Sequence, residues 1–368
     1  MTLVLESIEK RVDGDLHIAE LSLALQPGAV NVLLGPTGAG KTSLMRLMAG
    51  LDRPTGGRIS VGGRDVTGIG VRQRSVAMVY QQFVNYPSFT VYENVASPLR
   101  LRGTLSAAEI DRKVRETAAM MHIDGLLDRL PGQLSGGQQQ RTAIARALIK
   151  QADLLLLDEP LVNLDYKLRE ELRAEMGEIF KRRDATVVYA TTEPLEALML
   201  GGSTAVLDEG RLLQFGPTLA VYHHPASVRV AAIFSDPPMN LIPARIEGGA
   251  ARLVDGPVLP LAEHMRELPA GEYRLGVRAN HVGLDAPTTG EVGLPATVEL
   301  AEISGSETFL HVRHHSLVVV AQVAGVHGVE LGRTVTLALD PRRLFVFDGT
   351  GRLAAAPRRE TEMARGGS

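Results

Sequence analysis

The stretch "NVLLGPTGAGKTSLMRLMAGL" (31–51) constrains this chain more than any other. An apolar run enters a loop with three glycines, and a helix-forming segment follows at once. The loop matches G-x-x-x-x-G-K-[ST] in the strand-to-helix setting that this pattern needs. Glycines let successive backbone N–H groups converge on phosphate oxygens, and the helix start adds its positive dipole end. Gly35, Pro36, Thr37, Gly38, Ala39 and Gly40 therefore read as a phosphate cradle. Lys41 would reach the β- and γ-phosphates, the Thr42 hydroxyl would ligate Mg2+, and Ser43 completes the nucleotide-binding stretch. The plain alternative is a glycine turn that only caps a helix.

A second constellation makes that alternative weak. "LLLLDEP" (154–160) is an apolar strand that ends in two carboxylates. A near-continuous apolar run is the mark of a strand buried on both faces. Charges at its end then lie at the C-terminal edge of the sheet, where α/β folds bind their ligands. Asp158 is the candidate Mg2+ ligand, and Glu159 the group that orients or deprotonates an attacking water. A third motif, "LSGGQQQR" (134–141), sets Ser135 as an N-cap before Gly136, Gly137 and Gln138. Alone it is an ordinary helix start. Beside the other two it is a second phosphate-binding helix start, one that a second chain could use.

Around these motifs, residues 1 to about 235 alternate strand-like and helical runs, the α/β signature. "RSVAMVYQQ" (74–82), "TVVYAT" (186–191) and "STAVLDEGRLLQFG" (203–216) read as strands, and helical periodicity dominates from about 86 to 150. Its clearest amphipathic piece is "SAAEIDRKVRETAAMMH" (106–122), expected to pack within a helical arm. From residue 236 to about 356, short strands punctuated by Gly and Pro predict a small all-β barrel or sandwich. The polar tail, 357–368, reads as disordered. The histidine pairs at 223–224 and 314–315 do not suggest a metal site, because adjacent strand side chains point to opposite faces.

Bulk properties narrow the function. The net charge of −3 gives no reason to expect nucleic acid, and the region from 236 onward holds thirteen arginines and no lysine against sixteen acidic residues. Zero cysteines fit a reducing compartment and exclude disulfides and thiolate metal sites. The N-terminus lacks a secretory signal pattern, and no stretch approaches the ~20 apolar residues that span a bilayer.

The glycine loop, "YQQ", "LSGGQ", "LLLLDEP" and "NLD", in this order and spacing, resemble the ATP-binding cassette ATPases over residues 1–235. The resemblance implies an α/β P-loop NTPase fold with a helical subdomain at 86–150. Gln81 would contact Mg2+ and water and sense a transmembrane partner. Ser135, Gly136, Gly137 and Gln138 would close on the γ-phosphate held by an opposite subunit. Asp165 would couple two sites across a head-to-tail dimer, formed with the same chain or a paralogue. Two permease subunits would dock near Asn85–Val95, with an external solute-binding protein acting through them. "DPPMNLIPARI", "YRLGVRANHVGL", "AEISGSETFLHV" and "DPRRLFVFD" are similar to the C-terminal region of carbohydrate-importer ATPases, a small β-barrel used for dimer contacts and regulation. The implied protein is a peripheral subunit at the cytoplasmic face of the inner membrane. There it would hydrolyse ATP to drive uptake of a sugar, glycerol, glycerol phosphate or another polyol.

Three positions depart from that family. Thr192 in "VVYATTEP" stands where a histidine usually touches the γ-phosphate, and a hydroxyl carries neither its charge nor its proton. Val12 stands where an aromatic residue usually stacks on adenine, with His17 the nearest ring. Val162 replaces a common serine in "LVNLD". Thr192 admits three readings: a weaker substitute, the mark of a slow site paired with a better one, or a loss made good by a neighbour in space. A catalytically idle, ATP-loaded subunit is thus one alternative, with intact Glu159 counting against it; a non-transport cassette protein whose β domain binds nucleic acid is a remote one, with the charge of that domain counting against it.

Overall fold

In a computed structural model the chain is described at residues 2–82, 84–162, 164, 166–181, 185–284 and 287–358. Asp165 and most of the polar tail lie outside these residues. Two compact units emerge, Met1–Thr218 and Leu219–Ser368.

The first unit begins with β1 (Leu3–Val12), β2 (Asp15–Ala24) and β3 (Val30–Leu34), then α1 (Lys41–Ala49). β4 (Gly56–Val61), β5 (Arg64–Asp65) and β6 (Val76–Val79) lead into α2 (Val91–Arg102), α3 (Ala107–Met120) and α4 (Gly136–Ile149). β7 (Leu154–Asp158), α5 (Tyr166–Lys181), β8 (Thr186–Thr191), α6 (Pro194–Leu200), β9 (Ser203–Asp208) and β10 (Arg211–Pro217) complete it. The main sheet has the order β10-β9-β3-β8-β7-β6, parallel except for β10. A smaller antiparallel sheet has the order β2-β1-β4-β5. Leu44, Met45, Leu47 and Met48 of α1 share one core with residues of both sheets, among them Leu5, Ile8, Leu33 and Val188. Burying α1 in this way fixes where the glycine loop stands.

Register then sets the site. Leu34 pairs with Thr191, and Asp158 with Ala190. The chain therefore leaves β3, β7 and β8 at neighbouring points of one sheet edge. The stretch 203–216, read from sequence as a strand, is a hairpin. Glu209 and Gly210 both have positive φ (46° and 75°), the two-residue turn geometry that suits the twist of paired strands. Each arm helix begins with a capping box, Thr90/Glu93, Ser106/Glu109 and Ser135/Gln138. In α3 the buried residues Ile110, Val114 and Ala118 recur every four positions, the packed stripe that its amphipathic sequence requires.

All but the first residue of α7 (Thr218–His223) falls in the second unit, and α8 (Val228–Ile233) follows. Next come β11 (Asn240–Glu247), β12 (Ala250–Leu253), β13 (Val258–Pro260), β14 (Gly271–Val277), β15 (Val282–Gly283) and β16 (Val292–Ile303). β17 (Glu307–His314), β18 (Leu317–Ala324), β19 (Thr334–Leu339), β20 (Phe345–Phe347) and β21 (Leu353–Ala355) finish it. Two antiparallel sheets, β13-β12-β11-β14-β20-β21 and β15-β19-β16-β17-β18, share an apolar core, and a smaller cluster of Ala231, Met239, Phe345 and Phe347 lies beside it. This is the small all-β domain expected from the strand spacing. Among the described residues, no helix is long and apolar enough to cross a membrane.

Candidate functional site

The glycine loop joins β3 to α1 without a side-chain cap. Gly40, the N-cap residue, has φ 93°, and Gly38 has φ 84°. A Cβ at Gly40 would lie 2.9 Å from the His17 carbonyl oxygen, so both conformation and space require glycine there. Beside the loop opens a cleft of about 440 Å³. Its lining includes Thr37, Gly38, Gly40, Lys41, Thr42, Ser43, Gln81 and Glu159.

Five contacts organise the polar end of that cleft. The Lys41 ammonium, only 5% exposed, donates to the Gly35 and Pro36 carbonyl oxygens at 2.8 and 3.1 Å. It also lies 3.3 Å from Glu159 Oε1. Gln81 Nε2 donates to the other oxygen, Glu159 Oε2, at 3.2 Å. Thr42 Oγ1 donates to Asp158 Oδ2 at 2.7 Å. Burial, reinforced by the charge on Glu159, lifts the Asp158 carboxyl above the usual aspartate range, against the Thr42 hydrogen bond and the charge of Lys41. Glu159 itself has φ 45°, a left-handed conformation costly for a residue with a Cβ. Its backbone N–H is anchored on the Ala190 carbonyl at 3.0 Å. Strain of this kind persists where surrounding structure enforces it.

The chemistry of the set is that of a phosphate and hard-cation site. A loop of N–H donors ending in a helix start, with a lysine across it, suits a polyphosphate. A hydroxyl and a carboxylate in direct contact offer oxygen ligands to Mg2+, which is bound typically by one or two protein groups plus phosphate oxygens. Thr42 and Asp158 fit that role.

The remaining expected residues are not in this cleft. Ser135 caps α4 by accepting from Gln138 N at 3.3 Å, while Gln138 Oε1 accepts from Ser135 N at 3.0 Å. None of Ser135, Gly136, Gly137 or Gln138 lines it. Thr192 is exposed in the turn after β8 and does not line it either. Thr191 is the buried threonine, accepting from Glu193 N at 2.9 Å and donating to Glu196 Oε2 at 2.5 Å. Val12 is exposed at the end of β1.

Sequence reasoning missed four cleft residues, Asp15, Leu16, Glu209 and Gly210. His17 is there too, with Nδ1 3.3 Å from Ser43 Oγ. Gly210 N donates to the Ala39 carbonyl, and Ala19 N to that of Gly210, so the β9–β10 turn forms a wall of the glycine loop. The "DEG" turn signal was readable in the sequence, but its contact with the loop was not.

A P-loop cassette that binds a nucleoside polyphosphate is the class that this fold and site define. The ABC transporter family matches residues 18–162, and the TOBE domain matches 275–347. The chain is 36% identical over 350 residues to the sn-glycerol-3-phosphate import ATP-binding protein UgpC of Shigella sonnei, covering 94% of this chain and 98% of that one. It is 37% identical over the same span and coverage to the protein of that name from Salmonella typhimurium. Among solved structures, the dimeric post-hydrolysis state of the ATP-binding cassette MJ0796 bound to ADP and Pi superposes with a TM-score of 0.54 at 28% identity. That match covers 59% of this chain and 98% of that chain. The chain belongs to the ATP-binding proteins of the ABC transporter family, and it is an ABC-type ATPase with a C-terminal TOBE domain.

Proposed function

We propose that this chain energises import of a carbohydrate or polyol, such as a sugar, glycerol or glycerol phosphate, through separate transmembrane subunits. The observation that carries the reading is the contact set Lys41–Glu159–Gln81 and Thr42–Asp158 at one sheet edge, which supports a hydrolytic half-site there. The loop from Gly35 to Gly40 would cradle the phosphates of ATP. Lys41 would exchange its carbonyl and Glu159 contacts for β- and γ-phosphate oxygens. That exchange leaves Glu159 an unpaired oxygen with which to take a proton from water, while Gln81 holds the other. Thr42 and Asp158, with Gln81 near them, would hold Mg2+, which supplies charge neutralisation between the β- and γ-phosphates.

Ser135, Gly136, Gly137 and Gln138 would serve the ATP of a second cassette, the same chain or a paralogue, in a head-to-tail dimer. Their distance from the chain's own cleft supports that division. A groove of about 680 Å³ supports a permease partner docking near Asn85–Val95. Tyr80, Tyr86, Phe89, Pro98 and Leu101 line it, Leu101 being 90% exposed. An external solute-binding protein would act through that permease. The chain would then sit peripherally on the cytoplasmic face of the inner membrane, with residues 1–235 as the cassette and 236–356 as the dimerisation and regulatory domain. The importer names of the relatives that match nearly the whole chain support the substrate class.

The second reading is an ATP-loaded but idle subunit, favoured by the exposed Thr192 outside the cleft. Solute uptake by the assembled transporter separates the two. Glu159→Gln abolishes uptake on the first reading; unchanged uptake would establish the second.

A further inference from the structure

Arg169 lies on α5, outside every motif described above, yet it touches both turns that flank the site. Its Nη2 donates to the Val162 and Leu164 carbonyl oxygens, each at 3.3 Å. Those carbonyls belong to the turn that follows Glu159 directly. Its Nη1 donates to Glu193 Oε1 at 3.1 Å, in the turn that carries Thr192. The other Glu193 oxygen accepts from Arg173 Nη2 at 2.8 Å, so two arginines one helical turn apart grip one carboxylate.

Both turns are tied in their own right to the nucleotide site. Gly35 N donates to the Thr191 carbonyl at 3.3 Å, and Glu159 N to the Ala190 carbonyl at 3.0 Å. On the far side of the Glu159 turn, Gln140 Nε2 of α4 donates to the Pro160 carbonyl oxygen. A displacement of α4, whose first residues carry the "LSGGQ" motif, therefore meets the turn that Arg169 holds. The guanidinium meets these acceptors from two different nitrogens, Nη1 on Glu193 and Nη2 on the two carbonyls, a spread that the single nitrogen of a lysine does not have.

We propose that Arg169 is a positioning residue for ATP hydrolysis: it ties the Val162 and Leu164 carbonyls, which follow Glu159, to Glu193 in the turn after β8, so that Glu159 keeps its place relative to the glycine loop. Stability alone does not account for it. Arg169 is 26% exposed and its partner Glu193 37%, so solvent screens their ion pair and its share in stability is small. Arg173, at 3%, with Glu170, Glu193 and Glu196 all in reach, is the structural member of the pair. Catalysis is far more sensitive, since a misplacement of ~1 Å in a catalytic group costs up to about a hundredfold in rate.

The proposal rests on Glu159 as the hydrolytic carboxylate, and its test is a double-mutant cycle in the full-length chain. Steady-state ATP hydrolysis gives kcat and KM separately for Arg169→Ala, Glu193→Ala and the double variant. A fall in kcat of about tenfold is expected in each single variant, with the double no worse than the poorer single and KM for ATP within about twofold. Losses that multiply in the double variant, an unchanged kcat in Arg169→Ala, or a loss confined to KM would overturn it. Arg169→Lys keeps charge and bulk but cannot span Glu193 and both carbonyls, so it should lose kcat as the alanine variant does. Full activity in Arg169→Lys would show that charge suffices and would also overturn the proposal; this variant decides should the alanine form not fold. Glu159→Gln in the same assay addresses the underlying reading by itself: normal turnover there sinks the role of Glu159, whatever the cycle gives.

Discussion

At the mouth of the parallel sheet, Lys41, Thr42, Gln81, Asp158 and Glu159 meet through their side chains within one chain. At the start of α4, Ser135 and Gln138 also meet, but each is spent capping its own helix. The first group is strained and charged. Asp158 is buried against its preference for ionisation, and Glu159 adopts a left-handed backbone. The second is relaxed and accessible. Strain concentrated on one side is what a reacting centre needs, whereas an exposed helix start asks only for an anion brought to it. On the proposed function, the contrast would divide the chain into a reacting half and a separate complement for a second cassette.

Substitutions on the two sides should therefore behave differently. Glu159→Gln should have the largest effect, lowering kcat by about 10²–10⁴-fold with ATP binding retained. Equal activity would remove the reacting half altogether. Asp158→Asn comes next, with a loss of about a hundredfold in Mg2+-dependent hydrolysis.

The same variant tests the strain through its pH dependence. The folded-state pKa of Asp158 is raised, so ionisation penalises the native state as pH rises above the ordinary aspartate range. Below that range the carboxyl is protonated in both folded and unfolded chains, and no penalty remains. Asp158→Asn should then gain stability over the parent at pH 7 relative to pH 3, read as urea midpoints. An advantage that grows on acidification would contradict the sign.

On the relaxed side, Ser135→Ala should cost about 1 kcal/mol in stability through loss of the cap. It should lower kcat while leaving the affinity of one chain for ATP alone; weakened ATP binding by the single chain would blur the division. Thr192→Ala should change least, within about threefold in kcat, since one exposed hydroxyl is worth about one hydrogen bond. Thr192→His should be similarly mild. A large gain with histidine would mark the natural site as deliberately slow.

Local motifs were legible because their chemistry is set by residues near one another in sequence. The strand–loop–helix at 30–49 and the strand ending at Asp158 announce themselves by pattern and stand where the pattern puts them. The walls of the cleft were not legible. Leu16 and Gly210 reach the glycine loop through the packing of two sheets, a contact no spacing encodes. The stretch 203–216 reads as one strand because apolar runs lie on both sides of "DEG", although that tripeptide carries the turn signal and Glu209 and Gly210 form the turn. The grip of Arg169 on Glu193 links residues 24 apart on different elements, so it too appears only once α5 and the β8 turn are side by side. Val12 and Thr192 were singled out by comparison with a family pattern, and both proved exposed and outside the cleft.

The central claim is that this chain works as one of two cassettes beneath a permease. Native mass spectrometry of the detergent-extracted complex, captured through this chain, addresses it most directly. The account predicts two cassette subunits, two copies of this chain or one with a paralogue, together with transmembrane subunits. Recovery of the chain without any membrane protein, under conditions that keep such complexes intact, would contradict it.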